Sequence, residues 1–239
     1  MISAIRSRRA KGPGLNTGQP PTADLREHYR RLISSTQWLG VGMCWTAVVP
    51  DDGRALTLDH VAARLAGNTP YRLHEPAPLD AIGPPERDAY PVLVDQCGST
   101  TLLFEWGYLG ASPAVLRRLS EGARVYSAWW NVNASNLLSF AAGGEHVLAI
   151  DALFPGQQED HAGLARWPEL QAMTDFFAEP PPEDLDEDED EDDLDARADY
   201  DWRAAFLAVI DRTTGARLTG EWLEQPHPYV TVRMPDAIR

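Results

Sequence analysis

Lysine is almost missing from this 239-residue chain: Lys11 stands alone against twenty arginines. A bias that complete reads as base composition, so an arginine-only surface needs no phosphate-binding explanation. Cysteine is nearly as scarce. Cys44 and Cys97 are 53 residues apart, without CxxC spacing, which excludes a disulfide framework and a cysteine zinc site. No run approaches 18 apolar residues, so no helix long and apolar enough to cross a membrane is expected. The basic start runs into KGPGLNTGQPP rather than an apolar segment. The expected compartment is therefore the cytoplasm, with both thiols reduced.

The nucleotide and hydrolase signatures are missing too. There is no GxGxxG, no GxxxxGK[ST] and no GxSxG. The histidines are His28, His60, His74, His146, His161 and His227, and no two have HxH or HxxxH spacing. No metal and no cofactor is expected.

What is there begins with acid. The formal net charge is −15, and its distribution matters more than its size. Residues 183–195 (EDLDEDEDEDDLD) hold eleven acids and no base: Glu183, Asp184, Asp186, Glu187, Asp188, Glu189, Asp190, Glu191, Asp192, Asp193 and Asp195. The first 23 residues carry Arg6, Arg8, Arg9 and Lys11 and no acid, which leaves −8 for everything else. Carboxylates that dense repel one another at helical spacing, so 179–199 is expected to be a disordered insertion. No glycine occurs in 180–199, so the tract cannot be an EF-hand loop. It reads either as a solvated linker or as a docking segment for a basic protein. The overall sign disfavours nucleic acid and anionic lipid as partners.

Apolar periodicity gives the folded part. Residues 1–21 read as a flexible basic arm, and 22–239 as one α+β domain interrupted by the acidic insertion. Helices are expected at 22–34, from Leu56-Thr57 to Gly67, at 112–119, 168–177 and 200–211, with a short last helix capped by Thr219. Strands are expected at 43–49, 91–96, 100–106, 124–131, 136–142, 146–151 and 229–234, and 68–88 as a surface loop. Tight turns at Cys97-Gly98-Ser99 and Gly143-Gly144 make hairpins, not βαβ units. The expected architecture is a mainly antiparallel meander sheet of five to seven strands with helices packed on one side.

Several segments occur in a recognisable order: Trp38-Leu39 before CWTAVV, HVAARLAG, FEWGYLG, RLSEG, VYSAWWNVNA, HVLAIDALFPG and DRTTGARLTGEWLE. This order resembles a family of uncharacterised, mostly actinomycete bacterial proteins catalogued only as a domain of unknown function. The resemblance spans roughly residues 24–233 in pieces. It implies a single domain and supplies no activity, cofactor or catalytic residue.

The polar and aromatic residues of the central strands supply the candidate site. Glu105, Trp106, Trp129, Asn131 and Asn133 could form a ligand-binding rim, with indoles for an apolar body and polar groups for orientation. The opposing reading is structural: tryptophan in the core, asparagine in a turn and Glu105 on a backbone amide. Two functions follow. One is a non-enzymatic interaction protein, immunity- or inhibitor-like or regulatory, binding a basic partner through the acidic tract. The other is a small-molecule-binding domain or hydrolase with Glu105, Asn131 and His146 in one cleft, where Glu105 with His146 or Asp151 would supply acid–base chemistry.

Overall fold

The computed structural model describes residues 22–83, 89–153 and 201–233. The basic arm, the helix expected at 168–177 and the acidic tract lie outside them. Eight strands form one antiparallel sheet in the order β2-β8-β3-β4-β1-β5-β6-β7. They are β1 (Met43–Pro50), β2 (Tyr71–Ala77), β3 (Tyr90–Cys97), β4 (Thr100–Glu105), β5 (Ala123–Trp130), β6 (Asn136–Ala142), β7 (Glu145–Ile150) and β8 (His227–Val232). The antiparallel α+β reading holds. Hairpins join β3 to β4 and β5 through β7, with β1 inserted between β4 and β5. The β6–β7 hairpin turns on Gly143-Gly144, whose φ values of 60° and 81° suit a tight turn that matches strand twist.

The strand count exceeds the expected five to seven because β2 lies in the segment read as a loop. It is an edge strand, largely exposed and carrying Pro76. Its order comes from pairing with β8, from Tyr71 opposite Val232 to Ala77 opposite His227. Edge strands need no alternating apolar face, so the sequence carries no periodic signal there.

Helices cover both sheet faces, a correction to the one-sided expectation. The cause is legible in the strands: all six residues of β4 (TTLLFE) are buried, as is nearly all of β1 (MCWTAVVP). Strands buried on both sides need cover on both sides. One face presents Met43, Trp45, Ala47, Phe104, Tyr126, Trp130 and Phe140. Against it pack α1 (Thr22–Ser35), α2 (Gln37–Val41), α6 (Trp202–Thr214) and α7 (Gly220–Glu224). The other presents Val48, Val92, Leu103 and Val125 to α3 (Leu58–Ala66) and α5 (Pro113–Leu119). The short α4 (Leu79–Ile82) follows β2.

Local signals explain the helix ends. Thr57 accepts from the His60 amide at 3.2 Å and Thr219 from the Trp222 amide at 3.1 Å, both as N-caps. Ser112 holds the N-cap position of α5 without a side-chain bond, and Pro113 opens that helix. Helix α6 is buried almost continuously from Trp202 to Asp211, because it lies between the sheet and α1. A polar latch joins α1 to the chain after α6. The Tyr29 hydroxyl donates to Asp211 at 3.0 Å, Arg217 donates to the same oxygen at 2.6 Å, and the Leu218 amide donates to Tyr29 at 3.3 Å.

Candidate functional site

Two features meet where β4 ends, on opposite faces of the sheet. Strand alternation sends Phe104 to the α6 face and Glu105 to the α5 face. The chain then turns through Trp106, Gly107 and Tyr108 into a single 3₁₀ turn, Leu109–Ala111, which lies over Glu105.

Beneath that turn is a closed polar chamber. Glu105 is 2% exposed. Its Oε1 accepts from the Gly110 amide, while Oε2 is buried with no donor placed on it. Cys44 stands opposite Glu105 in the β1–β4 register. The Thr46 and Ser127 hydroxyls are 2.8 Å apart, and the Cys44 sulfur is 3.4 Å from Ser127. Gly110 closes the chamber from above. A Cβ there would stand 2.8 Å from Thr46 Oγ1, 3.1 Å from Cys44 Sγ and 3.3 Å from Glu105 Oε1.

Burial sets the chemistry of the chamber. Loss of solvent pushes the Glu105 carboxyl up to about 7, against opposing hydrogen bonds from Gly110, Leu109 and Cys44. Burial also pushes the Cys44 thiol up, and the Glu105 charge pushes it further. A reactive thiol needs a cationic neighbour or a helix N-terminus to hold its thiolate, and Cys44 has the reverse. The chamber suits a neutral carboxyl and an unreactive thiol, both sealed from solvent.

The other feature is open. On the α6 face a groove of about 610 Å³ is lined by Trp38, Trp106, Leu79, Leu223, Asp80 and Glu224, with Thr36, Pro78 and Gly220 at its edges. Its indoles lie 6.5 Å apart, tilted by 42°. Both are held from behind by Phe104, edge-on to Trp38 at 5.9 Å and to Trp106 at 5.6 Å. Trp38 remains 37% exposed. Leu223 is buried at the base, while Asp80 and Glu224 are exposed. The floor is fixed by α7: the Trp222 indole donates to Asp95 on β3 at 2.7 Å, and its ring meets Trp45 edge-on at 5.0 Å. The groove therefore offers two anchored indoles, an apolar base and two carboxylates.

The residues singled out from sequence do not form one rim. Trp106 lines the groove. Glu105, its neighbour, is in the chamber on the opposite face. Trp129 pairs with Cys44 in register, on the Glu105 face, and its ring lies 6.3 Å from Tyr108. Asn131 is a turn residue: its Oδ1 accepts from the Asn133 and Ser135 amides at 2.9 and 3.2 Å, closing the β5–β6 connection. Asn133 is exposed in that turn.

The cleft of Glu105, Asn131 and His146 does not assemble. His146 is on β7, four strands from β4 in the sheet order, which is roughly 19 Å at ordinary strand spacing. It pairs with Ala141 there, and burial with the nearby Arg117 charge lowers its pKa. Asp151 is occupied as well, accepting from Asn136 Nδ2 at 3.0 Å and from the Leu153 amide. Among the described residues no group of three His, Cys, Asp or Glu side chains could hold a metal ion. No helix among them is long and apolar enough to cross a membrane.

Sequence reasoning missed Trp38, Leu79, Asp80, Leu223 and Glu224 as groove residues. They come from three short helices far apart in the chain, and only tertiary packing brings them together. The available signal was Trp38 itself, a large indole just past the end of an amphipathic helix.

Residues 92–236 match the model of a family of unknown function (DUF6461). The chain belongs to that family. The match contains β4, β5, α6 and α7, and with them the chamber's Glu105 and Ser127 and the groove's Trp106, Leu223 and Glu224. Trp38, Leu79 and Asp80 precede it, as do the segments CWTAVV and HVAARLAG. No curated protein and no solved structure matches the chain.

Proposed function

We propose that this member of the family of unknown function is a non-enzymatic interaction protein that binds a basic protein partner, in the manner of an inhibitor or regulatory domain. The observation that carries the reading is the groove. Two indoles are anchored beside a packed core yet left partly uncovered, and Asp80 and Glu224 stand at their rim. Aromatic anchors in a pocket are a usual component of a binding hot spot, and the two carboxylates favour a partner of basic charge. The acidic tract supports the same reading. Its eleven carboxylates would attract a basic partner from a distance and speed encounter, while the groove holds it at short range. The setting we propose is the bacterial cytoplasm, where the free thiols of Cys44 and Cys97 would stay reduced.

The test is affinity capture from the native host with wild-type protein and a Trp38→Ser/Trp106→Ser variant, each first checked for a native circular-dichroism spectrum. A basic protein retained by wild type and lost by the variant is the expected result. Equal capture by a folded variant would overturn the proposal.

A further inference from the structure

The groove has a charge pattern that narrows what it holds. Its aromatic surface comes from Trp38 and Trp106, whose negative ring faces attract cations. Its polar surface includes the carboxylates of Asp80 and Glu224, and no basic side chain lines it among the described residues. Leu79 adds apolar surface to that of Leu223 at the base. Indoles, leucine side chains and two carboxylates match a long side chain with an apolar stem and a flat cationic head. The volume of about 610 Å³ exceeds one side chain, so flanking backbone enters as well.

We infer that the groove recognises an arginine side chain presented by a segment of the partner protein, its guanidinium against the indoles of Trp38 and Trp106 and its N–H groups toward Asp80 and Glu224. Arginine fits better than lysine on three counts. Its plane stacks on an indole, its fork of donors serves more than one carboxylate, and it gives up its hydration more readily. A neutral apolar ligand would leave Asp80 and Glu224 unused, and an anionic one would be repelled by both. This inference rests on the groove being the partner-binding surface and adds the chemistry of what enters it.

The experiment titrates full-length protein with a short glycine–serine peptide carrying two arginines, and with the same peptide carrying citrulline, which keeps arginine's shape without its charge. Binding is followed by calorimetry at low salt. The arginine peptide should bind and the citrulline peptide should bind at least tenfold more weakly. Asp80→Asn with Glu224→Gln, both at exposed positions, should weaken arginine binding several-fold. Trp38→Leu, which keeps an apolar lining, should weaken it roughly three- to tenfold through loss of the ring face.

Equal binding of the two peptides overturns cation recognition and leaves the interaction surface standing, because partner capture by wild type against Trp38→Ser/Trp106→Ser is measured separately. If the arginine peptide binds only after residues 1–21 are removed, the chain's own basic arm is the occupant and the partner assignment is overturned. If no groove substitution changes either peptide binding or partner capture, both readings fail together.

Discussion

Glu105 and Trp106 are neighbours in the chain and serve opposite faces of the sheet. Glu105 closes into the chamber over Cys44, and Trp106 packs beside Phe104 and lines the groove. The turn they begin is tied to the chamber by the Gly110 amide and to the groove by an indole. Changes in the chamber are therefore expected to reach the groove through few bonds.

Glycine at position 110 is required by what lies under it. Gly110→Ala would drive a methyl to 2.8 Å from Thr46 Oγ1, inside van der Waals contact. The neighbours are strand residues of a packed core and cannot yield cheaply, so a loss of about 1–3 kcal/mol is expected. Chemical denaturation measures it. Adding Thr46→Ala, which removes the nearest atom, should recover part of the loss, and strictly additive costs would contradict the contact.

Glu105 should make the protein less stable as pH rises. Its folded-state pKa of about 7 lies above the usual carboxylate value of 4.5, so the folded state holds a proton that the unfolded chain has released. Stability is fully present below about 4.5 and falls through the window up to about 7, by roughly 3 kcal/mol in total. His146 acts oppositely. Burial lowers its pKa, so its contribution is present above its ordinary value of 6.5 and is lost as pH falls below it. Comparing wild type with Glu105→Gln across this range isolates the carboxyl. The variant should lose the decline between about 4.5 and 7, and parallel curves would contradict the assignment.

The latch of Tyr29, Asp211 and Arg217 predicts an order of effects. Asp211→Ala strips two donors of their shared acceptor inside a mostly buried site and should cost about 2–4 kcal/mol. Tyr29→Phe removes two bonds, the one donated to Asp211 and the longer one accepted from the Leu218 amide, and should cost about 1–2 kcal/mol. Arg217, whose side chain is 42% exposed, should cost least when changed to Met. Thermal or urea denaturation gives the ranking, and a larger loss at Arg217 than at Asp211 would contradict it.

Much of this fold can be read from residue order, and the reasons differ by element. Leu58, Val61, Ala62 and Leu65 repeat at helical spacing because α3 buries a single face. Gly143-Gly144 announces its hairpin because few residue pairs tolerate two positive φ values. The edge strand β2 is silent, since its order comes from β8 rather than from apolar alternation. The site was legible in one residue of the groove, Trp106. Alternation in β4 already separates Glu105 from Trp106, but the role of Asn131 depends on a turn bond and the distance to His146 on strand order. Neither is encoded locally.

Binding affinity of the captured partner for wild type, for protein lacking residues 183–195 and for Trp38→Leu/Trp106→Leu, each at low and high salt, tests the central claim most directly. On the proposed reading the tract attracts the partner over distance, so its deletion should weaken binding at low salt and make little difference once salt screens its eleven carboxylates. The groove acts by contact, so its variant should bind at least tenfold more weakly at both. A folded groove variant that binds as tightly as wild type at both salt concentrations would contradict the account.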